Sequence, residues 1–198
     1  MSSASASDLR RIALTEFASS GYAGTSLQRI ADLADLSKSA VLYHFASKEA
    51  LLEASIGPAI DGLAHLMREA GLPGSDRGDR TDRHAFVEQF VDFLLGHPLE
   101  VHLFITQAHS LRDLPVIGRA NQLIGKLAHY CETSANSIED RVRFGIALGG
   151  SAYLINTMQA LELSPVPHED VREALVTIMT ELLAPVPDGL LSPSPKQS

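Results

Sequence analysis

Apolar residues recur at helical spacing along most of the chain. Leu9, Ile12, Ala13 and Phe17 lie three or four positions apart, which places them on one face of a helix. No segment alternates apolar and polar residues convincingly enough to predict a strand. Ser7, Ser37 and Ser47 are the expected caps of the first, third and fourth helices. Together with Gly and Pro, such residues delimit helices predicted at about 8–20, 27–34, 38–44, 48–70, 82–95, 98–110, 115–134, 138–163 and 168–183. The sequence therefore predicts an all-α protein with about nine helices.

The predicted helices fall into two groups that differ in length. Residues 1–46 hold three short helices, and residues 47–184 hold the longer ones. The stretch GLPGSDRGDRT at 71–81 has the composition of a loop. Residues 185–198 are rich in Pro and Ser, so we expect a disordered tail.

Charge is distributed unevenly between these two groups. The whole chain carries a formal net charge of −8, yet residues 1–50 hold five basic and five acidic residues. The rest of the chain is therefore acidic and would repel nucleic acid, so any DNA binding is expected at the N-terminal part and should depend strongly on salt. A single cysteine, Cys131, fits a reducing cytoplasm, and we expect neither a signal peptide nor a membrane span.

Residues 25–52 have the pattern of two short helices joined by a tight turn, followed by the start of a longer helix. The third helix is too short to be stable alone, because isolated helices below ~12–15 residues are marginal. We therefore expect Val41 and Phe45 to face inward and Lys38, Ser39, Leu42 and Tyr43 to face outward. Ordinary packing between the third and fourth helices is the alternative role for Tyr43.

The outward residue types of this segment suit contact with a DNA duplex. Lys38 can reach a phosphate or a guanine edge, and Tyr43 and His44 can donate hydrogen bonds to phosphates. Lys48 opposes the dipole at the start of the fourth helix, and a phosphate partner would explain its position. The candidate DNA-binding residues are Thr25, Ser26, Ser37, Lys38, Ser39, Ala40, Leu42, Tyr43, His44 and Lys48.

Residues 12–52 resemble the tetracycline-repressor (TetR) family of bacterial transcription regulators. The resemblance rests on Gly21 with Thr25-Ser26, on the Ile30-Ala31 pair, and on SKSAVLYHFASKEALL from Ser37 onward. It implies a helix-turn-helix DNA-binding domain at 1–46 and an effector-binding and dimerisation domain at 47–184. The implied function is that of a homodimeric repressor that binds a near-palindromic double-stranded operator and is released by a small hydrophobic ligand.

Two positions depart from the family pattern. The family often has Gly where Asp35 stands and Tyr where Leu42 stands. These departures and the balanced charge of residues 1–50 keep an alternative open, namely a helical small-molecule-binding or scaffold protein without operator function.

The last two predicted helices are the candidate dimer surface, because glycines on the first of them permit close helix approach and the last one offers apolar residues at helical spacing. The candidate residues are Val142, Gly145, Ile146, Gly149, Tyr153, Val171, Leu175, Ile178 and Leu182. The alternative is that these residues form only the core of one protomer.

Aromatic and amide residues of the longer helices are candidates for lining the cavity of the unknown effector, and core packing is the alternative role for each aromatic. The candidates are Phe86, Phe90, Phe104, Gln107, Tyr130, Tyr153 and Asn156. We expect no cofactor and no metal, because no two His residues have the i, i+3 or i, i+4 spacing of a helical zinc site. We expect no catalysis, because the chain has no Gly-rich phosphate loop and no Gly-x-Ser-x-Gly motif.

Overall fold

The structure is a computed structural model, and it describes residues 5–70, 83–135, 137–160 and 167–184. The predicted loop at 71–81 and the predicted disordered tail at 185–198 lie outside these residues. Within the described ranges every regular element is helical and no strand occurs. The all-α prediction is confirmed.

The helices follow the predicted order with small differences at their ends. They are α1 Ala6–Ser20, α2 Leu27–Leu33, α3 Lys38–His44, α4 Lys48–Glu69, α5 Arg83–Gly96, α6 Pro98–Leu111, α7 Pro115–Ser134, α8 Ile138–Gly145, a π-helical turn Ile146–Gly150, α9 Ser151–Ala160 and α10 His168–Leu182. The backbone stays helical from α8 through the π turn into α9. Counted as one helix, this stretch brings the described part of the chain to nine helices.

Serine side chains begin most of the helices that position the site. Ser26, Ser37 and Ser47 accept hydrogen bonds from the backbone N–H three residues later, at the starts of α2, α3 and α4. Helix α1 begins earlier than predicted, because its N-cap is Ser5 and not Ser7. The Ser5 hydroxyl and the Asp8 carboxylate cap each other's backbone N–H in a capping box, which holds the pKa of Asp8 below its ordinary value.

Two hydrophobic clusters hold the molecule together. The head core contains Leu9, Phe17, Ile30, Val41 and further residues of α4, α6 and α7. The body core is formed by the second half of α4 together with α5, α7, α9, the π turn and α10. We call residues 5–46 the head and the described residues from 47 onward the body.

Helix α4 passes through both cores. Leu51, Leu52 and Ile56 lie in the head core, whereas Leu66 and Met67 lie in the body core. The head core therefore continues across residue 46, where the sequence suggests a domain boundary. A shift of α4 would change the packing of both the head core and the body core, because packed interiors have few voids that could absorb it.

Helix α10 is fastened to α5 by an ion pair at the surface. Arg172 Nε and Nη2 donate to the two oxygens of Asp92 at 2.5 and 3.0 Å. This two-pronged hydrogen bonding, together with the positive charge, lowers the pKa of the Asp92 carboxyl.

Candidate DNA-binding surface

Helix α3 presents its outward side chains to solvent as the sequence predicts. Tyr43 is 87% exposed and Leu42 is 40% exposed, while Lys38 lies on the same open side. Val41 is fully buried and Phe45 packs partly against the head core. The exposure of Tyr43 excludes a packing role for its ring in the protomer.

The turn between α2 and α3 requires an unusual backbone conformation. Asp35 has a φ of 53°, in the left-handed region where L-residues other than Gly, Asn and Asp are strained. Beyond it, the Leu36 N–H donates to the Ala31 carbonyl at 2.9 Å, and the Leu36 side chain packs against the head core. Ala31 itself is fully buried in the head core, where a larger side chain would have to displace its neighbours. The short polar side chain of Asp35 is therefore a tolerable substitute for glycine here.

The segment before α2 shows which of its two hydroxyls caps the helix. Ser26 accepts from the Arg29 N–H at 3.1 Å and is the N-cap. Thr25 is only 2% exposed, and its hydroxyl donates to the Gly21 carbonyl at 2.8 Å. The Thr25 side chain therefore faces into the head and holds the segment 21–25, whereas Ser26 stays at the surface.

Lys48 has partners within the chain that the sequence does not reveal. Its ammonium donates to the carbonyls of Tyr22 and Thr25 at 2.9 and 3.0 Å, and lies 4.2 Å from the centroid of the Tyr22 ring. These contacts stabilise a positive charge in the first turn of α4, so its position is explained without a phosphate. They also tie the start of α4 to the segment that leads into α2.

A comparison with known families matches this head. The family model of the bacterial regulatory proteins of the tetR family matches residues 9–55, which cover α1, the helix-turn-helix and the first turns of α4. Residues 9–55 are therefore similar to the bacterial regulatory proteins of the tetR family. TetR-family proteins are transcription regulators that bind DNA operators, and they are not enzymes.

Solved structures of TetR-family regulators share the fold of the chain. A TetR-family regulator from Bordetella parapertussis 12822 is 22% identical in sequence, with a TM-score of 0.63. The match covers 88% of this chain and 93% of the regulator's chain. The ketosteroid transcriptional regulator KstR2 of Mycobacterium tuberculosis is 16% identical with a TM-score of 0.69, covering 91% and 95%. A regulator from Aquifex aeolicus VF5 is 20% identical with a TM-score of 0.62, covering 89% and 98%. No curated protein sequence matches the chain.

Gln107 joins the body to this TetR-type head. Its side-chain Oε1 accepts from the Tyr22 N–H at 2.8 Å, and its Nε2 donates to the Phe17 carbonyl at 2.8 Å. The sequence suggests Gln107 as a ligand contact, whereas the structure shows both ends of its amide bonded to the head. Its partners are backbone groups about 85 to 90 positions away, so no local sequence signal could have revealed this pairing.

The other candidate ligand residues do not converge on one place. Phe90 is buried in the body core and stacks on Phe86, while Tyr130 packs against the same core from outside. Phe104 packs against the head core instead, and Tyr153 is 62% exposed. These five positions thus lie in three different environments.

Asn156 is a buried polar residue with one identified partner. It is 7% exposed, and its Oδ1 lies 2.7 Å from His102 Nδ1 on α6. Helix α6 therefore makes a polar contact with α9 at His102 and a polar contact with the head at Gln107.

The candidate dimer residues of the long helix lie at the surface. Val142 is 53%, Ile146 54% and Tyr153 62% exposed, and Gly145 and Gly149 are exposed beside them. Large apolar side chains exposed together on one side of a helix commonly mark a contact surface.

Helix α10 contributes less to this surface than the sequence suggests. Ile178 is 52% exposed, but Leu175 is 7% exposed and belongs to the body core. Val171 and Leu182 pack partly against that core. The structure thus places Leu175 inside the protomer, because this face of α10 lies against α5.

The described residues hold no group of three or more His, Cys, Asp or Glu side chains that could bind a metal ion. Among the same residues, no helix is long and apolar enough to cross a membrane.

Proposed function

We propose that the chain is a homodimeric repressor that binds a near-palindromic operator through α3 and is released by a small apolar effector bound in the body. The exposed side of α3, with Tyr43 87% exposed on a three-helix head, carries this proposal. The proposed DNA contacts are Ser26, Ser37, Lys38, Ser39, Ala40, Leu42, Tyr43 and His44. The proposed setting is the reducing cytoplasm, which the single cysteine of the sequence fits.

The chemistry of α3 supports a role in the major groove. Lys38 offers a cation at its first position, and Tyr43 and His44 offer donors at its last turn. A contact from Lys38 to a guanine edge would specify sequence, whereas phosphate contacts from Tyr43 and His44 would position the helix. We assign Thr25 and Lys48 to holding the segment before α2 in place, and only indirectly to DNA binding.

The need for two heads supports the proposed dimer. One seven-residue helix reads only a few base pairs, so two heads related by a two-fold axis are required for a specific site. The exposed face with Val142, Ile146, Tyr153 and Ile178 is the proposed contact between copies. Leucine at Gly149 would stand in this contact, where the glycine leaves space around an added Cβ. We therefore expect Gly149→Leu to yield monomers by light scattering, and an intact dimer would move the interface elsewhere.

Release by an effector requires that the ligand bind the DNA-incompetent state better than the DNA-bound state. Two features of the chain suit this coupling. Helix α4 packs in both cores, and Gln107 joins α6 to the backbone just before α2. A shift of α6 or α4 would therefore reach the helix-turn-helix. Coupling of ~1–3 kcal/mol would change DNA affinity roughly 5–150-fold.

A mobility-shift titration with the DNA upstream of the gene, repeated over a series of salt concentrations, tests the proposed function. We expect Lys38→Ala to weaken binding and to reduce the salt slope by about 1, because one phosphate neutraliser is lost. Tyr43→Phe keeps the ring and removes the hydroxyl, so it should weaken binding without affecting thermal unfolding. Lys126→Ala, an exposed lysine on α7, is the matched control and should leave binding unchanged. Absence of salt-sensitive specific binding would instead favour a helical ligand-binding protein without operator function.

A further inference from the structure

A cavity of about 420 Å³ opens between α7 and the long helix that contains the π turn. Its walls are mainly apolar, with Ile124 and Leu127 from α7 facing Phe144 and Leu148. The volume lies within the range of small-molecule sites, roughly 300–1,000 Å³. None of the ligand candidates suggested by the sequence lines it.

The π turn shapes one wall of this cavity. Residues Ile146–Gly150 form a wide turn inside an otherwise α-helical stretch, and Leu148 and Gly149 of this turn line the cavity. The buried hydroxyl of Ser151 donates to the Ala147 carbonyl at 2.6 Å, so the distorted backbone keeps a hydrogen-bond partner. A cavity at such a distortion fits the general observation that π turns occur often at functional sites.

Charge is concentrated at one side of the otherwise apolar wall. Arg141 Nη1 lies 3.7 Å from Glu132 Oε1, and the two side chains are 51% and 63% exposed. At this distance the pair is an ion pair and not a hydrogen bond. The guanidinium carries five donors in a fixed fork that suits a carboxylate. An incoming carboxylate would therefore compete with Glu132 for Arg141.

We propose that this cavity binds a small molecule with an apolar body and a terminal carboxylate. The apolar body lies between Leu127 and Phe144, and the carboxylate pairs with Arg141. The half-buried Cys131 also lines the cavity, and burial raises the pKa of its thiol.

The position of the cavity also suggests how its occupant would act, a step that rests on the proposed function. Gly145 and Gly149 line the cavity and also belong to the proposed contact between copies. An occupant would therefore change the packing of the long helix at that contact. In the proposed dimer the heads are connected through the bodies, so a change at this contact would change the separation of the two heads.

Isothermal titration calorimetry of the full chain with decanoate and with decan-1-ol tests the binding site. The two probes share an apolar body and differ in the charged end. We expect decanoate to bind about tenfold or more tightly than the alcohol, as for a charge-assisted hydrogen bond to Arg141. Arg141→Met should reduce decanoate affinity to the level of the alcohol, while Glu132→Gln should increase it by removing the competitor. Arg68→Met, an exposed arginine on α4, is the matched control and should change neither affinity.

A second variant separates the site from the chemistry of its ligand. Ala128 is exposed at the cavity, so Ala128→Phe should fill the space and abolish binding of both probes without lowering the unfolding temperature. Equal affinities for the two probes, or decanoate binding that survives Arg141→Met, would refute the carboxylate assignment. Binding that survives Ala128→Phe would refute the site. If these variants change the sedimentation of the dimer but not the affinity for either probe, the cavity is occupied by a second copy of the chain and the proposal fails.

The same samples distinguish this proposal from the proposed function. Decanoate should lower the affinity of the wild-type chain for its operator in the mobility-shift assay. It should leave the operator affinity of the Arg141→Met variant unchanged. If decanoate binds in the cavity but leaves operator affinity unchanged, the binding site stands and release by this ligand is wrong. If the chain binds no operator at all, the calorimetric result still decides the site.

Discussion

Replacing Gln107 by alanine should loosen the connection between helix α6 and the head. The wild-type amide bonds in both directions, accepting from the Tyr22 N–H and donating to the Phe17 carbonyl, each at 2.8 Å. Alanine removes both bonds and leaves two backbone groups without these partners. The Phe17 carbonyl belongs to the last turn of α1, where no later helical N–H is available to it.

The expected loss follows from the surroundings of the two bonds. A neutral hydrogen bond contributes a net ~0.5–1.5 kcal/mol, and leaving a buried partner unsatisfied costs about 1–3 kcal/mol. Both bonds are only partly buried, so water can replace some of what is lost. We therefore expect the free energy of unfolding to fall by about 1–3 kcal/mol. Operator affinity should fall as well, because the segment before α2 is no longer held from the body.

A set of variants separates this connection from a general effect on stability. Gln107→Glu keeps the acceptor for the Tyr22 N–H but cannot donate to the Phe17 carbonyl. Amide hydrogen exchange at Tyr22 should therefore stay slow in Gln107→Glu and become fast in Gln107→Ala, while both lose stability to urea. Gln89→Ala, on the exposed side of α5, is the matched control. If Gln107→Ala matches this control in urea unfolding, Tyr22 exchange and operator binding, the reasoning is refuted.

Three further predictions concern the turn, helix α4 and the surface ion pair. Asp35→Gly should leave the free energy of unfolding in urea nearly unchanged. Asp35→Val should lower it by about 1–2 kcal/mol, because a β-branched residue is strained at a φ of 53°. Equal stabilities of the two variants would contradict the left-handed turn. Pro58→Ala should raise the melting temperature measured by calorimetry, since an exposed proline inside α4 removes one helical hydrogen bond; a lower melting temperature would mean that the packing of α4 needs the proline. The stability that the Asp92 carboxylate contributes should be fully present above its ordinary pKa of 3.8 and should be lost as the pH falls through its lowered pKa in the folded state. Urea unfolding over a series of pH values should show this loss in the wild type and not in Asp92→Asn. Parallel pH profiles of the two proteins would refute it.

The sequence predicts the local features of the head well, because they depend on neighbouring residues. Ser37 and Ser47 cap the helices that they are expected to cap, and the inward and outward sides of α3 follow from the spacing of Val41 and Phe45. The Ser5–Asp8 capping box is also a local signal and could have been found by its three-residue spacing. At the start of α2, where Thr25 and Ser26 both carry a hydroxyl, only the geometry shows that Ser26 is the cap.

The order of the helices and the residue types of a TetR-like head can be predicted without the fold. Periodicity, capping and turn residues act over a few positions, so they can be read without the fold. The tertiary structure alone decided that Lys48 binds two backbone carbonyls, that Gln107 joins the body to the head, and that Leu175 lies in the core and not at a surface. The position of the cavity, between α7 and the π turn, also comes from the structure alone. The residue composition of this stretch does not predict a π turn. Each of these depends on groups brought together from distant parts of the chain, and the partners are often backbone atoms that every residue carries.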